Sequence, residues 1–221
     1  MHTILNDIDL NTIYQRVLRT STDQPGFYYK DLGKDLDSYT FRQTMVEVKN
    51  GLSELCQMYT EFQLNYQWLG RFSHQSTSGF HRDSSTPHSV LMLGYEPTEI
   101  DSSVSLADYT KLIKEEGLAV EEYFGAKEEI NGANKDYPIE DYATELLPFP
   151  KDHYRLVILN NSRSFEEETY GIFHRGEILQ KDLSKDRILD SIMLTLCKKG
   201  TAEQYSDESV REFIQTDKVE R

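Results

Sequence analysis

The apolar positions of this chain change their period near residue 62. Before it they recur at helical spacing. Phe41, Met45, Val48, Leu52, Leu55, Tyr59 and Phe62 follow one another at intervals of 4, 3, 4, 3, 4 and 3 residues, which makes one continuous stripe. Asp37 or Ser38 can cap that helix. A shorter helix is expected after Asp9, with Leu10, Ile13, Tyr14, Val17 and Leu18 on one face. The segment between them carries Pro25, Gly26 and Gly33 and reads as a loop whose Phe27, Tyr28 and Tyr29 pack onto the core. The long stripe fits a helix laid on a sheet. A coiled-coil homodimer seam is the competing arrangement, weakened by Gly51 inside only three heptads.

Beyond residue 62 the pattern alternates. Leu64, Tyr66 and Trp68 interleave with polar residues, as on a half-buried strand. A polar stretch, Ser73 to Gly79, leads to Phe80-His81-Arg82-Asp83 and then to the apolar run from Val90 to Tyr95. Further strands are expected at Arg155 to Asn160, Tyr170 to His174 and Arg187 to Leu196. An acidic insert spans roughly 96–150. Its one clear helix starts at Ser105-x-x-Asp108, buries Tyr109, Leu112 and Ile113, and stops at Gly117. A C-terminal helix is expected around Ser209-x-x-Glu212, with Val210, Phe213 and Ile214. Short strands without regularly interleaved helices favour an antiparallel sheet, sandwich or barrel with helices outside, over a doubly wound parallel fold. The expected organisation is one domain: a helical layer over 1–62, a β core over 63–197 and a helical tail over 198–221.

Composition narrows the classes. The 221 residues carry a formal charge of −14, and no run of Lys and Arg stands out, which argues against nucleic acid and against anionic membranes as partners. No segment approaches the ~18 consecutive apolar residues of a membrane span, and no secretory signal is visible at the N-terminus. Cys56 and Cys197 do not make a disulfide framework, so a reducing cytoplasm is the expected compartment. No glycine-rich phosphate loop of standard spacing is present.

Candidate chemistry concentrates at His81-Arg82-Asp83. On a strand, residues two apart share a face, so an imidazole and a carboxylate are expected to enter one cavity together. His174, 93 residues further on, follows Ile172 and Phe173 and can supply a second imidazole. Two imidazoles and one carboxylate on one face of an octahedral ion leave three open positions, which suits Fe(II). Thirteen residues after His174 comes Arg187 at the start of an apolar strand, where a guanidinium needs an anion. His-Arg-Asp also occurs in kinase catalytic loops, but the Asn those require five residues after the Asp is His88 here.

The series His81-x-Asp83, His174, Arg187 resembles the Fe(II)- and 2-oxoglutarate-dependent dioxygenases, over roughly residues 62–197. That resemblance implies a double-stranded β-helix, the jelly roll shared with cupins. It implies that His81, Asp83 and His174 are the metal ligands and that Arg187 binds the distal carboxylate of the 2-oxoglutarate cosubstrate. Dioxygen would be consumed and a small-molecule or protein substrate hydroxylated. Many members carry Ser two residues after the Arg. Leu189 stands there in this chain, Ser191 lies two further on, and Tyr66 or Tyr95 are candidate substitutes for the hydroxyl. The competing class is a cupin-like metal- or ligand-binding protein without oxygenase activity, for which His88 would be an added ligand.

Other polar features have plainer expectations. His2, His74, His88 and His153 read as surface residues, with His74 at the cavity mouth. Asn160-Asn161-Ser162-Arg163-Ser164 reads as a turn rather than a pocket rim, and Glu166 to Glu168 as a solvated loop. Arg175 is expected to face solvent or an acidic substrate. Specificity is expected to reside in the insert over 96–150 and in the loop over 161–170.

Overall fold

The structure is a computed structural model, which describes residues 7–124, 132–163 and 170–220. His2, the acidic run Glu166 to Glu168 and most of the expected specificity loop lie outside the described residues.

In chain order the elements are α1 (Leu10–Val17), β1 (Phe27–Asp31), α2 (Ser38–Tyr59), β2 (Phe62–Ser73), β3 (Ser89–Tyr95), β4 (Ser102–Ala107), α3 (Tyr109–Glu115), α4 (Val120–Phe124), β5 (Ala143–Glu145), β6 (Arg155–Asn160), β7 (Phe173–Ile178), β8 (Ile188–Lys198) and α5 (Asp207–Gln215). The strands form two antiparallel sheets, one of order β1-β6-β3-β8-β2 and one of order β5-β4-β7.

Side chains set the helix starts. The carboxylate of Asp9 accepts from Thr12 N–H at 3.1 Å and that of Asp37 from Thr40 N–H at 2.7 Å. Two caps differ from expectation. Asp108 caps α3, because Ser105 is drawn into β4, and Ser206, not Ser209, caps α5. Gly117 ends the α3 turn with φ +66°.

Burial places α2. Phe41, Met45, Val48 and Leu52 pack with Val90, Met92, Leu156, Ile158, Ile192 and Leu194 on one face of the five-stranded sheet, beside α1 and α5. Each such side chain contributes about 1.5–3 kcal/mol, against ~1 kcal/mol for a cap. The first four members of the stripe are therefore covered within the chain. The last members leave that surface: Tyr59 is exposed, and Phe62 opens β2.

The opposite face carries Leu91, Leu93, Tyr95, Val157, Leu159 and Met193, covered by Val104, Leu106 and Leu146 of the second sheet and its flank. β3 and β6 are buried on both faces, which explains their unbroken apolar runs. Two expectations are corrected. The stretch around Phe27-Tyr28-Tyr29 is not a loop but an edge strand pairing with β6, so the N-terminal third adds to the sheet. The segment over 96–150 is no mere insert, since it supplies β4 and β5, two of the three strands of the second sheet.

One irregularity redirects a large side chain. Tyr66 pairs with Leu194 and Trp68 with Met193, so Gln67 is an extra residue in β2. Leu64 and Tyr66 face the helices, whereas Trp68 is turned to the inner face.

The approach of α2 to the sheet depends on Gly94. A Cβ there would meet Met45 Sδ at 2.6 Å and Phe41 Cε1 at 2.8 Å. Met45 can swing aside, but the Phe41 ring is held against Tyr154 with centroids 4.9 Å apart. Gly94→Val is expected to lower stability by about 1–3 kcal/mol. The check is a urea midpoint that falls with unchanged slope; an unaltered midpoint would show that the close approach is not required.

Candidate metal centre

The three expected ligands come together by different means. His174 is the second residue of β7 and is held by strand pairing. His81 and Asp83 do not lie on a strand as expected. His81 makes a single antiparallel bridge to His174, with His81 N–H donating to the His174 carbonyl at 3.0 Å and His174 N–H to the His81 carbonyl at 2.8 Å. The imidazole rings then sit 4.2 Å apart at 48°. Past His81 the backbone is irregular, and strand alternation cannot aim Asp83.

Asn161 aims it instead. Its Oδ1 accepts from Asp83 N–H at 3.0 Å, and its Nδ2 donates to the Asp83 carbonyl at 3.0 Å. The Asn161 carbonyl also accepts from Arg82 Nε at 3.1 Å and Ser89 Oγ at 3.1 Å. Asn161 is fully buried at the end of β6. The turn expected at this stretch is there in part: Asn160 Oδ1 accepts from Ser162 N–H at 3.0 Å. Asn161 itself is a clamp on the candidate ligand. The available signal was an Asn-Asn pair closing a strand with an apolar interior, and local turn chemistry reads the same way.

Ligand atoms of His81, Asp83 and His174 all lie within 4.8 Å of one another. Asp83 Oδ1 is 3.5 Å from His81 Nε2 and 3.7 Å from His174 Nε2. Cis ligands ~2.0–2.2 Å from an octahedral ion stand about 3 Å apart, so an ion here would draw these atoms together by about half an ångström. The Nδ1 of His81 is 2.8 Å from the Gly79 carbonyl, which assigns the proton to Nδ1 and leaves the Nε2 lone pair facing Asp83.

The protonation states suit a metal. Burial, only partly opposed by Asp83, holds the His174 imidazole down at about 4, so it is neutral at pH 7. For Asp83 burial acts upward, but contact with His81 and the His174 charge outweigh it and keep the carboxyl below its usual range. For His81 burial acts downward, and Asp83 with the Gly79 carbonyl outweighs it, leaving the imidazole above its usual value. The second proton, which the charged form carries on Nε2 toward Asp83, is the one an ion would displace.

The cluster opens onto a cavity of about 450 Å³ between the sheets, lined also by Trp68, Phe72, His74, Leu93, Tyr95, Arg187, Leu189 and Ser191. Arg187 is buried there. Its Nε donates to Ser102 Oγ at 3.1 Å and its Nη1 to the His74 carbonyl at 3.1 Å, and its guanidinium lies 5.2 Å from the Tyr95 ring centre. It makes no ion pair among the described residues. Of the two tyrosines considered as its helper, Tyr95 lines this cavity, whereas Tyr66 faces the helices on the other side of the sheet. Ser191 accepts from Trp68 Nε1 at 3.2 Å.

Arg175 is accounted for by the fold: it pairs with Glu140 at 2.5 Å and lies 4.1 Å over the Phe80 ring. His153 contacts Asp31 at 2.8 Å, and His74 lines the cavity. His88 is not in the cluster, so the extra ligand of a cupin-type site is missing among the described residues.

No helix of the described residues is long and apolar enough to cross a membrane. No protein-family model matches the chain, and no curated protein matches it either.

Asn161→Ala removes both bonds to the Asp83 backbone. The expected outcome is a loss of about 1–3 kcal/mol in stability, and Fe(II) affinity weaker by roughly 10–100-fold. Anaerobic metal titration of the folded variant measures the second effect. Wild-type affinity would show that Asp83 is aimed without the clamp.

Proposed function

We propose that this protein is an Fe(II)- and 2-oxoglutarate-dependent oxygenase on a double-stranded β-helix core. One observation carries the reading: a cluster of two imidazoles and one carboxylate shares a cavity with a buried arginine that makes no ion pair among the described residues. The first element suits an N,N,O-ligated ferrous ion with open positions. The second suits a ligand that brings its own carboxylate.

Strand placement supports the jelly roll. From β2 onward the chain passes back and forth between the sheets. β2, β3, β6 and β8 lie in the larger one, while the His81 bridge, β4 with β5, and β7 lie in the smaller. The cluster then sits where the His81 segment joins β7, facing the inner side of the larger sheet.

In this reading His81, Asp83 and His174 hold the iron, and Arg187 holds the distal carboxylate of 2-oxoglutarate. When bound, iron and the keto acid supply the activation of dioxygen for C–H hydroxylation, with succinate and CO2 as co-products. The chain itself binds, orients and excludes water. Ser102 and the His74 carbonyl hold the Arg187 fork, and the Tyr95 phenol takes the place of the hydroxyl missing at Leu189. Trp68, Leu93 and Leu189 provide dry walls. Burying a lone guanidinium is unfavourable by several kcal/mol, and a bidentate carboxylate offsets that. A small-molecule or protein substrate would meet Ser73, Ser76 and Ser78, which also line the cavity.

The test is titration of purified protein with Fe(II) and 2-oxoglutarate under argon. A weak visible charge-transfer band from the keto-acid chelate is expected. His174→Ala and Asp83→Ala should each abolish it while retaining the far-UV circular dichroism of the parent. Wild-type protein without the band at saturating cosubstrate would sink the proposal.

A further inference from the structure

Two buried arginines of this protein are matched by acids. Arg19 forks onto Asp108 at 2.5 and 2.8 Å, and Arg42 reaches Glu96 at 3.2 Å. Arg155 is different. It opens β6, is 1% exposed, and forms no ion pair among the described residues. Its Nη2 donates to the Glu96 carbonyl at 3.0 Å, while Nε and Nη1 have no hydrogen-bond partner. A buried cation left in this state is strongly unfavourable unless something else uses its charge.

Its neighbours indicate what does. Arg155 stands directly across from Tyr95 in the β3–β6 register. Its guanidinium lies 5.7 Å from the Tyr95 ring centre, and that of Arg187 lies 5.2 Å from the same ring. Phe149 is at 4.5 Å from Arg155 and packs edge-on to Tyr95 with centroids 5.1 Å apart. Asp31, across on β1, is the nearest-register acid, but its carboxylate is taken by His153 at 2.8 Å and Gly33 N–H at 2.8 Å. Burial and then the Arg187 charge hold Arg155 down at about 10, which still leaves it cationic at neutral pH. One tyrosine ring thus carries two buried cations, of which only Arg187 lines the cavity.

We propose that Arg155 is a positioning and specificity-determining residue for the anion end of the cavity: it acts through Tyr95 as a second positive charge behind Arg187 and favours a 2-oxo acid with a carboxylate at its far end. The proposal rests on the oxygenase reading above. At roughly 10 Å and the effective dielectric of a protein, one charge changes the affinity of a carboxylate on the order of tenfold. A 2-oxo acid with no distal carboxylate chelates iron through the same atoms and does not feel this difference.

The experiment compares 2-oxoglutarate with 2-oxobutyrate, each titrated anaerobically into the Fe(II) protein with the charge-transfer band as readout. For Arg155→Met the dissociation constant of 2-oxoglutarate is expected to rise about tenfold, while that of 2-oxobutyrate stays within about twofold. Arg155→Lys, which retains a charge, restores most of the selectivity. A merely structural role would weaken both acids together, and that result, or no change for either, overturns the proposal with the oxygenase reading intact. A wild-type protein showing no band with either acid overturns both.

Discussion

Two backbone hydrogen bonds between His81 and His174 hold the candidate site together. They join the end of a polar stretch to the second residue of β7, across 93 positions of sequence. The reciprocal pair fixes the two imidazoles side by side, and Asp83 then needs to be aimed only once. Asn161 does that from the opposite sheet, so the centre draws on both layers. A site built this way is as rigid as the packing between the sheets, because neither His81 nor Asp83 has a strand of its own to hold it.

Packing between the sheets follows from a simple demand. The five-stranded sheet is apolar on both faces, and each face must be covered. The helices α1, α2 and α5 cover one. The smaller sheet covers the other, but only in part, and the remaining gap is the cavity. The extra residue Gln67 in β2 turns Trp68 inward at the edge of that gap. Apolar burial therefore shapes the cavity, and polar residues at its ends give it chemistry.

Charge within the cavity is divided. His174 and Asp83 are held in the neutral and ionised forms that a metal needs, by burial in one case and by neighbouring imidazoles in the other. Away from the cluster, Arg187 and Arg155 flank Tyr95 and neither makes an ion pair among the described residues. The chain is acidic as a whole, at −14, yet part of this inner face is cationic. Net charge describes what the surface repels, and the cavity follows its own balance.

Much was legible in the sequence where the physics is local. The helical period predicts α2, the Asp9 and Asp37 caps predict two helix starts, and unbroken apolar runs predict β3 and β6, because periodicity and capping act over a few residues. The candidate ligands His81, Asp83 and His174 were legible as residue types in order. Their meeting was expected from strand alternation, but the means was not: a single bridge between His81 and His174, and a clamp on Asp83, hold them together. Tertiary pairing alone decided that Phe27–Asp31 is an edge strand, that the stretch over 96–150 supplies most of a sheet, that Tyr95 rather than Tyr66 stands beside Arg187, and that Asn161 clamps Asp83. Each depends on contacts between distant segments, where strand register and a single inserted residue select the face a side chain presents, and no local pattern encodes that choice.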